Sequence, residues 1–328
     1  MKINDRLKEI LSLALRFGLS GLLLAYLFSK IDTHSMMATL KTADFKYIYL
    51  AAGMFLLIHV VLLLRWLLFI RALSLEIPVK TLVAYFFIGL FFNLFLPSST
   101  GGDLVKVLGL CRYTDQKAKV VASVVLDRVC GFVAIVIVAF CSYGFGYGLL
   151  HDHTILIGIF VLALMCVILL TIFFNEKFFS FGSHLFARFP KIKDSLMSLH
   201  YNISLVKGRI PFVFLAFLLS CLSQSLLIID FFFVSMALHQ SISLIYFFIF
   251  VPIICVVSSL PSIGGLGVRD AGAAHLFAKI GVAEGVSVSL TLVNFIFMVI
   301  IGLIGGIVYV AHLSPRRVQH HQACSTSG

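Results

Sequence analysis

Hydrophobic positions along this chain come in long blocks separated by short polar turns. Eight blocks are apolar enough and long enough to cross a bilayer, which takes roughly 20 helical residues. They are residues 10–29, 47–70, 79–96, 118–149, 154–175, 210–238, 242–260 and 285–312. Backbone polar groups in lipid must be satisfied within the segment, so each block predicts a helix. The longest polar interval is 176–209, too short to fold alone. Within it Leu185, Phe189, Ile192, Leu196, Leu199, Ile203 and Val206 recur at helical spacing. Arg188, Lys191, Lys193 and Lys207 fall off that stripe. This predicts an amphipathic helix over 185–206 lying in the membrane interface, with a coiled-coil seam against a partner as the alternative. The pattern gives one integral membrane domain, 1–312, and a cytoplasmic tail, 313–328.

Composition agrees with this and excludes a soluble enzyme: 61% of the 328 residues are hydrophobic and 12% charged, against about half and a quarter in soluble domains. The net charge of +11 would suggest nucleic acid in a soluble protein. In a membrane protein it marks cytoplasmic loops and contact with anionic headgroups instead, so no nucleic-acid partner is expected. The seven cysteines include no CxxC pair, so neither zinc nor a redox motif is indicated. His151-x-His153 and His320-His321 lack a carboxylate or thiolate to complete a coordination shell. No metal and no cofactor are expected. The basic N-terminus precedes an apolar stretch without a convincing cleavage site, as in an uncleaved first span.

The basic residues predict the topology. The N-terminus, the turn between Arg71 and Lys80, the interval 176–209 and the tail with Arg316 and Arg317 read as cytoplasmic. The turns at 150–153 and at His239-Gln240 carry no Lys or Arg and read as external. Eight simple crossings cannot satisfy this arrangement. It is satisfied if segments 97–117 and 261–284 each carry the chain back through the membrane. Both contain Pro, Gly and charge, so they are expected as broken or re-entrant helices buried in protein or lining a polar cavity.

These two segments resemble each other. Leu96-Pro97-Ser98-Ser99-Thr100-Gly101-Gly102-Asp103-Leu104-Val105-Lys106 and Leu260-Pro261-Ser262-Ile263-Gly264-Gly265-Leu266-Gly267-Val268-Arg269 align with one gap. Their prolines are 164 residues apart, half the chain. With the charge-derived topology they run in opposite senses, which predicts an inverted repeat with a binding site between its halves. A helix starting after Gly101-Gly102 would point free N–H groups at the break, where anions bind. Ser98, Thr100 and Ser262 add hydroxyls, and Lys106 and Arg269 add charge about one turn further on. Together with Gly264 and Gly265 they form a candidate phosphate cradle, duplicated. The other reading is two helix breaks needed only for packing.

Charges inside apolar sequence are costly and therefore informative. Asp103 and Lys106 share a helix face. Asp127-Arg128 and Asp230 read either as structural ion pairs or as part of a substrate or proton path, and Asp230 is the candidate coupling residue. Arg269 and Asp270, being adjacent, are expected to take different partners. Arg65 is expected to snorkel to the interface. Asn93 and Asn294 flank the two breaks and read as headgroup ligands or helix bridges. Gly144-xxx-Gly148 and Gly302-xxx-Gly306 fit close helix packing.

The combination of Asn93-x-x-x-Pro97, Gly101-Gly102-Asp103-x-x-Lys106, Asp127-Arg128-x-x-Gly131 and Pro261-x-x-Gly264-Gly265-x-Gly267-x-Arg269, followed by Asp270, resembles the lysylphosphatidylglycerol synthase transmembrane region family. That family is also described as flippase-like or UPF0104 integral membrane proteins. The resemblance spans essentially the whole chain. It implies lipid translocation across a bacterial inner membrane. Bifunctional members carry a soluble aminoacyl-transferase domain, which nothing in 313–328 resembles, so synthase activity is not expected. The leading expectation is therefore a flippase for a phospholipid or other (poly)isoprenoid or glycerol lipid, its anionic or phosphate-bearing headgroup held at the two Gly-Gly breaks. A membrane-embedded lipid-modifying transferase and an accessory subunit of a lipid-synthesis enzyme are the alternatives. A second copy or such an enzyme is the candidate protein partner.

Overall fold

Apolar blocks become helices here because the segments carry few breakers and no alternation. The computed structural model describes residues 41–94, 101–146, 153–174, 197–198, 200–258 and 268–313. The chain divides into Met1–Ala43 and Asp44–Gly328, and the helices below belong to the second unit. They are α1 (Phe45–Ala72), α2 (Val79–Asn93), α3 (Gly101–Leu110), α4 (Lys117–Gly146), α5 (His153–Phe174), α6 (Ile210–Ala237), α7 (Leu244–Val257), α8 (Val268–Ala278) and α9 (Glu284–Leu313). A 3₁₀ turn, Leu205–Arg209, leads into α6. Among the described residues there is no strand.

Asp44 caps α1 by accepting from Lys46 N at 2.9 Å, an N-cap role that short acidic side chains favour. Pro78 precedes α2 and Pro211 sits in the first turn of α6, where a missing N–H costs nothing. Among the described residues four helices are long and apolar enough to cross a membrane: Phe45–Ala72, Lys117–Gly144, Ile210–Ala237 and Glu284–Ala311. Val79–Asn93, Leu156–Ile168 and Leu244–Val256 are shorter apolar segments. The expected first span, 10–29, lies outside the described residues.

α1 and α6 run antiparallel along each other: Asp44 N donates to Ala237 O at one end, and Arg65 reaches Ser220 further along. Helix ends bearing Arg71, Lys80, Lys117 and Arg209 gather around one apolar cluster that includes Phe69, Ile70, Leu82, Val120 and Val206. Ile203 and Val206, the last two residues of the amphipathic stripe, are buried in that cluster. Most of the stripe lies outside the described residues.

The order short helix, short helix, long helix occurs twice. α2, α3 and α4 have 15, 10 and 30 residues. α7, α8 and α9 have 14, 11 and 30. A helix of 15 residues is about 22 Å long and one of 10 is about 15 Å, each shorter than the roughly 30 Å hydrocarbon core.

α9 packs against α2 through its glycines. A Cβ at Gly305 would lie 2.0 Å from Phe87 O, and one at Gly302 2.4 Å from Leu94 Cδ1. The small-residue pattern on α9 therefore admits a neighbouring backbone. A Cβ at Gly144 would meet nothing within 4 Å among the described residues, and Gly148 lies outside them.

Candidate functional site

The first Gly-Gly motif folds α2 and α3 into an antiparallel hairpin. Gly102 N donates to Asn93 Oδ1 at 2.7 Å, so Asn93 satisfies an N–H that the start of α3 would otherwise leave unpaired. Gly89 and Gly102 make this approach possible: a Cβ on Gly102 would stand 2.0 Å from Gly89 O, and one on Gly89 2.6 Å from Lys106 Cε. Further along, Gly109 leaves room for the Tyr85 ring.

Five charged side chains from α1, α3 and α4 meet beside this hairpin. Arg65 binds Asp127 with two parallel hydrogen bonds, Nε to Oδ1 at 2.6 Å and Nη2 to Oδ2 at 2.9 Å. Its Nη1 donates to Ser220 Oγ on α6 at 3.1 Å. This fork geometry is one that guanidinium supplies and ammonium does not. Asp103 receives Lys106 Nζ at 3.2 Å and Arg128 Nε on its other oxygen. The Lys106 ammonium also lies over the rings of Trp66 at 5.3 Å and Phe86 at 5.0 Å, a favourable cation–π placement. Among the described residues the cluster holds three cations and two carboxylates. Arg128 is its most accessible member, with 39% of its side chain exposed.

The second motif is built more loosely. Arg269, at the start of α8, is buried. Its Nε and Nη2 both lie 3.4 Å from Oδ1 of the adjacent Asp270. Asp270 Oδ1 also accepts from Thr291 Oγ1 on α9 at 2.6 Å, and the Arg269 guanidinium faces the Phe295 ring at 5.7 Å. One turn along α9, Asn294 donates through Nδ2 to Leu290 O at 3.3 Å. Asp230, on α6, is fully buried, and neither of its oxygens has a hydrogen-bond partner among the described residues.

An apolar crevice of about 410 Å³ opens between α1, α4, α5 and α6, lined by residues including Phe69, Leu126, Val133, Leu170, Val213 and Phe217. Cys130 lines the same crevice and touches Ser220 Oγ at 3.3 Å. The crevice thus ends one contact from the Arg65–Asp127 pair.

Of the residues singled out by sequence, Gly102, Asp103, Lys106, Asp127, Arg128 and Asn93 converge on the first cluster. Arg269 and Asp270 form the second. Ser98, Thr100, Ser262, Gly264 and Gly265 lie outside the described residues, and Gly101 opens α3. Three expectations change. Arg65 does not snorkel: its side chain is 6% exposed and held by Asp127, because a partner on α4 meets it at its own depth. Arg269 and Asp270 contact each other, although each also takes the expected separate partner, Phe295 for Arg269 and Thr291 for Asp270. The Gly102 N–H and the Lys106 ammonium, expected to face a ligand, are engaged by Asn93 and Asp103. Ser220, Thr291 and Gly89 were not identified from sequence. A serine or threonine in an apolar helix usually bonds its own preceding turn, and these two do so as well. Nothing local marks the second bond each makes across helices. Among the described residues, no three His, Cys, Asp or Glu side chains gather as a metal site would require.

The family model for the lysylphosphatidylglycerol synthase transmembrane region matches residues 13–306. A UPF0104 membrane protein of Pyrococcus horikoshii is 28% identical, the match covering 81% of this chain and 87% of that protein. No solved structure matches. With a match over most of its length and a bundle of long apolar helices beneath it, the chain belongs to the lysylphosphatidylglycerol synthase transmembrane region family and is a multi-pass membrane protein.

Proposed function

We propose that this protein moves a lipid with an anionic or phosphate-bearing headgroup across its membrane, without modifying it chemically. The observation that carries this reading is the juxtaposition of a cation-rich charge cluster with an apolar crevice. The cluster's accessible guanidinium, Arg128, suits a phosphate. The crevice beside Cys130 suits an acyl chain, which needs only apolar contact. A cationic cluster gives an anionic headgroup a partner inside a bilayer, where charge is costly.

The twice-used order of two short helices and one long one supports an inverted repeat. On the positive-inside rule the basic end, with Arg71, Lys80, Lys117 and Arg209, faces the cytoplasm. α2–α3 then enters as a half-depth hairpin from the cytoplasmic side and α7–α8 from the other. Two half-depth hairpins pointing at each other bring polar groups to the midplane while helical caps satisfy the backbone. Asp103 and Lys106 on one side, and Arg269 and Asp270 on the other, are the groups so placed. The cell inner membrane, with both termini cytoplasmic, is the location this topology favours.

The test is reconstitution in liposomes carrying a labelled phosphate-bearing lipid in one leaflet. Wild-type protein is expected to speed its appearance in the other leaflet, with the lipid's mass unchanged. Arg128→Gln is the informative variant, because Lys106 still pairs with Asp103 when Arg128 is neutralised. It is expected to slow translocation about tenfold, the effect of losing one charge-assisted contact of ~1.5 kcal/mol. Equal rates with and without wild-type protein would overturn the reading, and a lipid of altered mass would replace it with the transferase.

A further inference from the structure

We propose that Asp230 is an intramembrane proton-binding site beside Asn294, and that loading this site is coupled to the Arg269 motif through α9. This deepens the lipid-transport reading and rests on it only for the coupling.

The polar atoms here are mismatched in a way one proton corrects. Both Asp230 oxygens are buried without a hydrogen-bond partner among the described residues, and so is Asn294 Oδ1. All three are acceptors. Asn294 faces Asp230 across the α6–α9 contact with its donor side, but its Nδ2 is held by Leu290 O at 3.3 Å and makes no full hydrogen bond to the carboxylate. A proton on Asp230 removes the buried negative charge that this arrangement leaves without a full hydrogen bond. A sodium ion is a poorer occupant. These two side chains offer three oxygens, and the helical carbonyls around them serve the backbone.

Among the described residues no counter-charge takes the place of that proton. Asp230 forms no ion pair among the described residues, and its own helix has no other charged residue between Ile210 and Ala237. On α1 the antiparallel register puts Lys46 near the Ala237 end and Arg65 at the level of Ser220. Arg65 is held by Asp127, and His59 bonds Phe55 O through Nδ1 at 2.8 Å. The charged residues of α4 that lie in the membrane, Asp127 and Arg128, belong to the first cluster. α7 brings Tyr246 and Cys255 but no charge. α9 brings Glu284 in its first turn, with Tyr309 and His312 toward its far end. An ionised carboxylate left alone at zero exposure is costly enough that such groups neutralise instead.

The site is wired to the second motif by helix geometry. Thr291 and Asn294 are three residues apart on α9 and share a face. Thr291 holds Asp270, which contacts Arg269, and the next residue after Asn294, Phe295, carries the guanidinium on its ring. Releasing the proton would put a negative charge beside Asn294 and draw its Nδ2 away from Leu290 O. The displaced amide adjoins the residues that position Arg269. In transport the proton would arrive from water on one side and leave to water on the other, with no other chemical change.

The experiment has two arms. Infrared spectroscopy of the purified protein in lipid should show the carbonyl stretch of an un-ionised carboxylic acid at neutral pH. That band should be lost in Asp230→Asn, shifted in Asn294→Ala, and moved in heavy water, since a working site exchanges its proton. A missing band, one that survives Asp230→Asn, or one that never exchanges overturns the site. In proteoliposomes an imposed pH gradient should change the rate of lipid movement by wild type and leave Asp230→Asn indifferent to it. Equal gradient dependence in both overturns the coupling. If wild type moves no lipid, the transport reading and its coupling fail together, while the infrared result still decides the proton site.

Discussion

The two Gly-Gly motifs begin from nearly the same residues and arrive at different structures. Around the first, Asp103 is shared by Lys106 and Arg128 while Arg65 grips Asp127 through two bonds. Around the second, Arg269 and its sequence neighbour Asp270 approach at 3.4 Å, and a threonine hydroxyl makes the shorter contact. Among the described residues the first cluster joins three helices with charge, and the second joins two with a hydroxyl and a cation–ring contact.

That contrast can be broken most directly at Arg65. Arg65→Ala strands Asp127 in a buried setting and is expected to cost about 3–5 kcal/mol, measured by unfolding in detergent micelles. The double variant Arg65→Met with Asp127→Leu should recover most of it, because apolar side chains of similar size need no partner. Arg269→Ala should cost clearly less than Arg65→Ala, and an equal loss would erase the distinction between the motifs. Gly102→Ala comes next, at about 1–3 kcal/mol from overpacking. Its Cβ would meet the Gly89 carbonyl at 2.0 Å and Asn93 Oδ1 at 2.7 Å, so thermal unfolding should shift and the α2–α3 hairpin open. Thr291→Val removes the short bond to Asp270 and should cost about 1.5 kcal/mol, the low end for a bond to a charged group. The hydroxyl's proton is already shared with Val288 O. Gly131→Ala should be mildest, about 1 kcal/mol or less. Its Cβ would lie 3.1 Å from Arg65 Nη1, and a double-mutant cycle with Arg65 should show coupling, whereas one with Arg269 should not.

Much of the helical layout was legible in the sequence. The apolar blocks 47–70, 118–149, 210–238 and 285–312 correspond to α1, α4, α6 and α9 within a few residues, because length and apolarity are properties of the segment itself. The helix breaks were legible for the same reason, since Pro and paired Gly act locally. Partner choice was not. Asp103–Lys106 could be read because helical spacing fixes it, but Arg65–Asp127 spans 62 residues and depends on which faces of α1 and α4 meet. Arg65 near a helix end looks like a snorkelling residue from sequence alone, and its burial becomes evident only once α4 is in place. Ser220 and Thr291 were missed because a hydroxyl satisfied within its own helix gives no outward sign of a second contact.

The Gly89–Gly102 contact has a mechanical consequence. With no room for even a methyl group between α2 and α3, the two arms cannot slide past each other and must travel as one stiff wedge. Its pivots are the connectors at its base, 73–78 and 111–116. The first of these holds Ser74 at φ 51°, a backbone state that few non-glycine residues adopt. A wedge hinged at its base moves most at its tip, so a small rotation there would displace the Asn93–Gly102 clasp further than the Tyr85–Gly109 contact nearer the hinge.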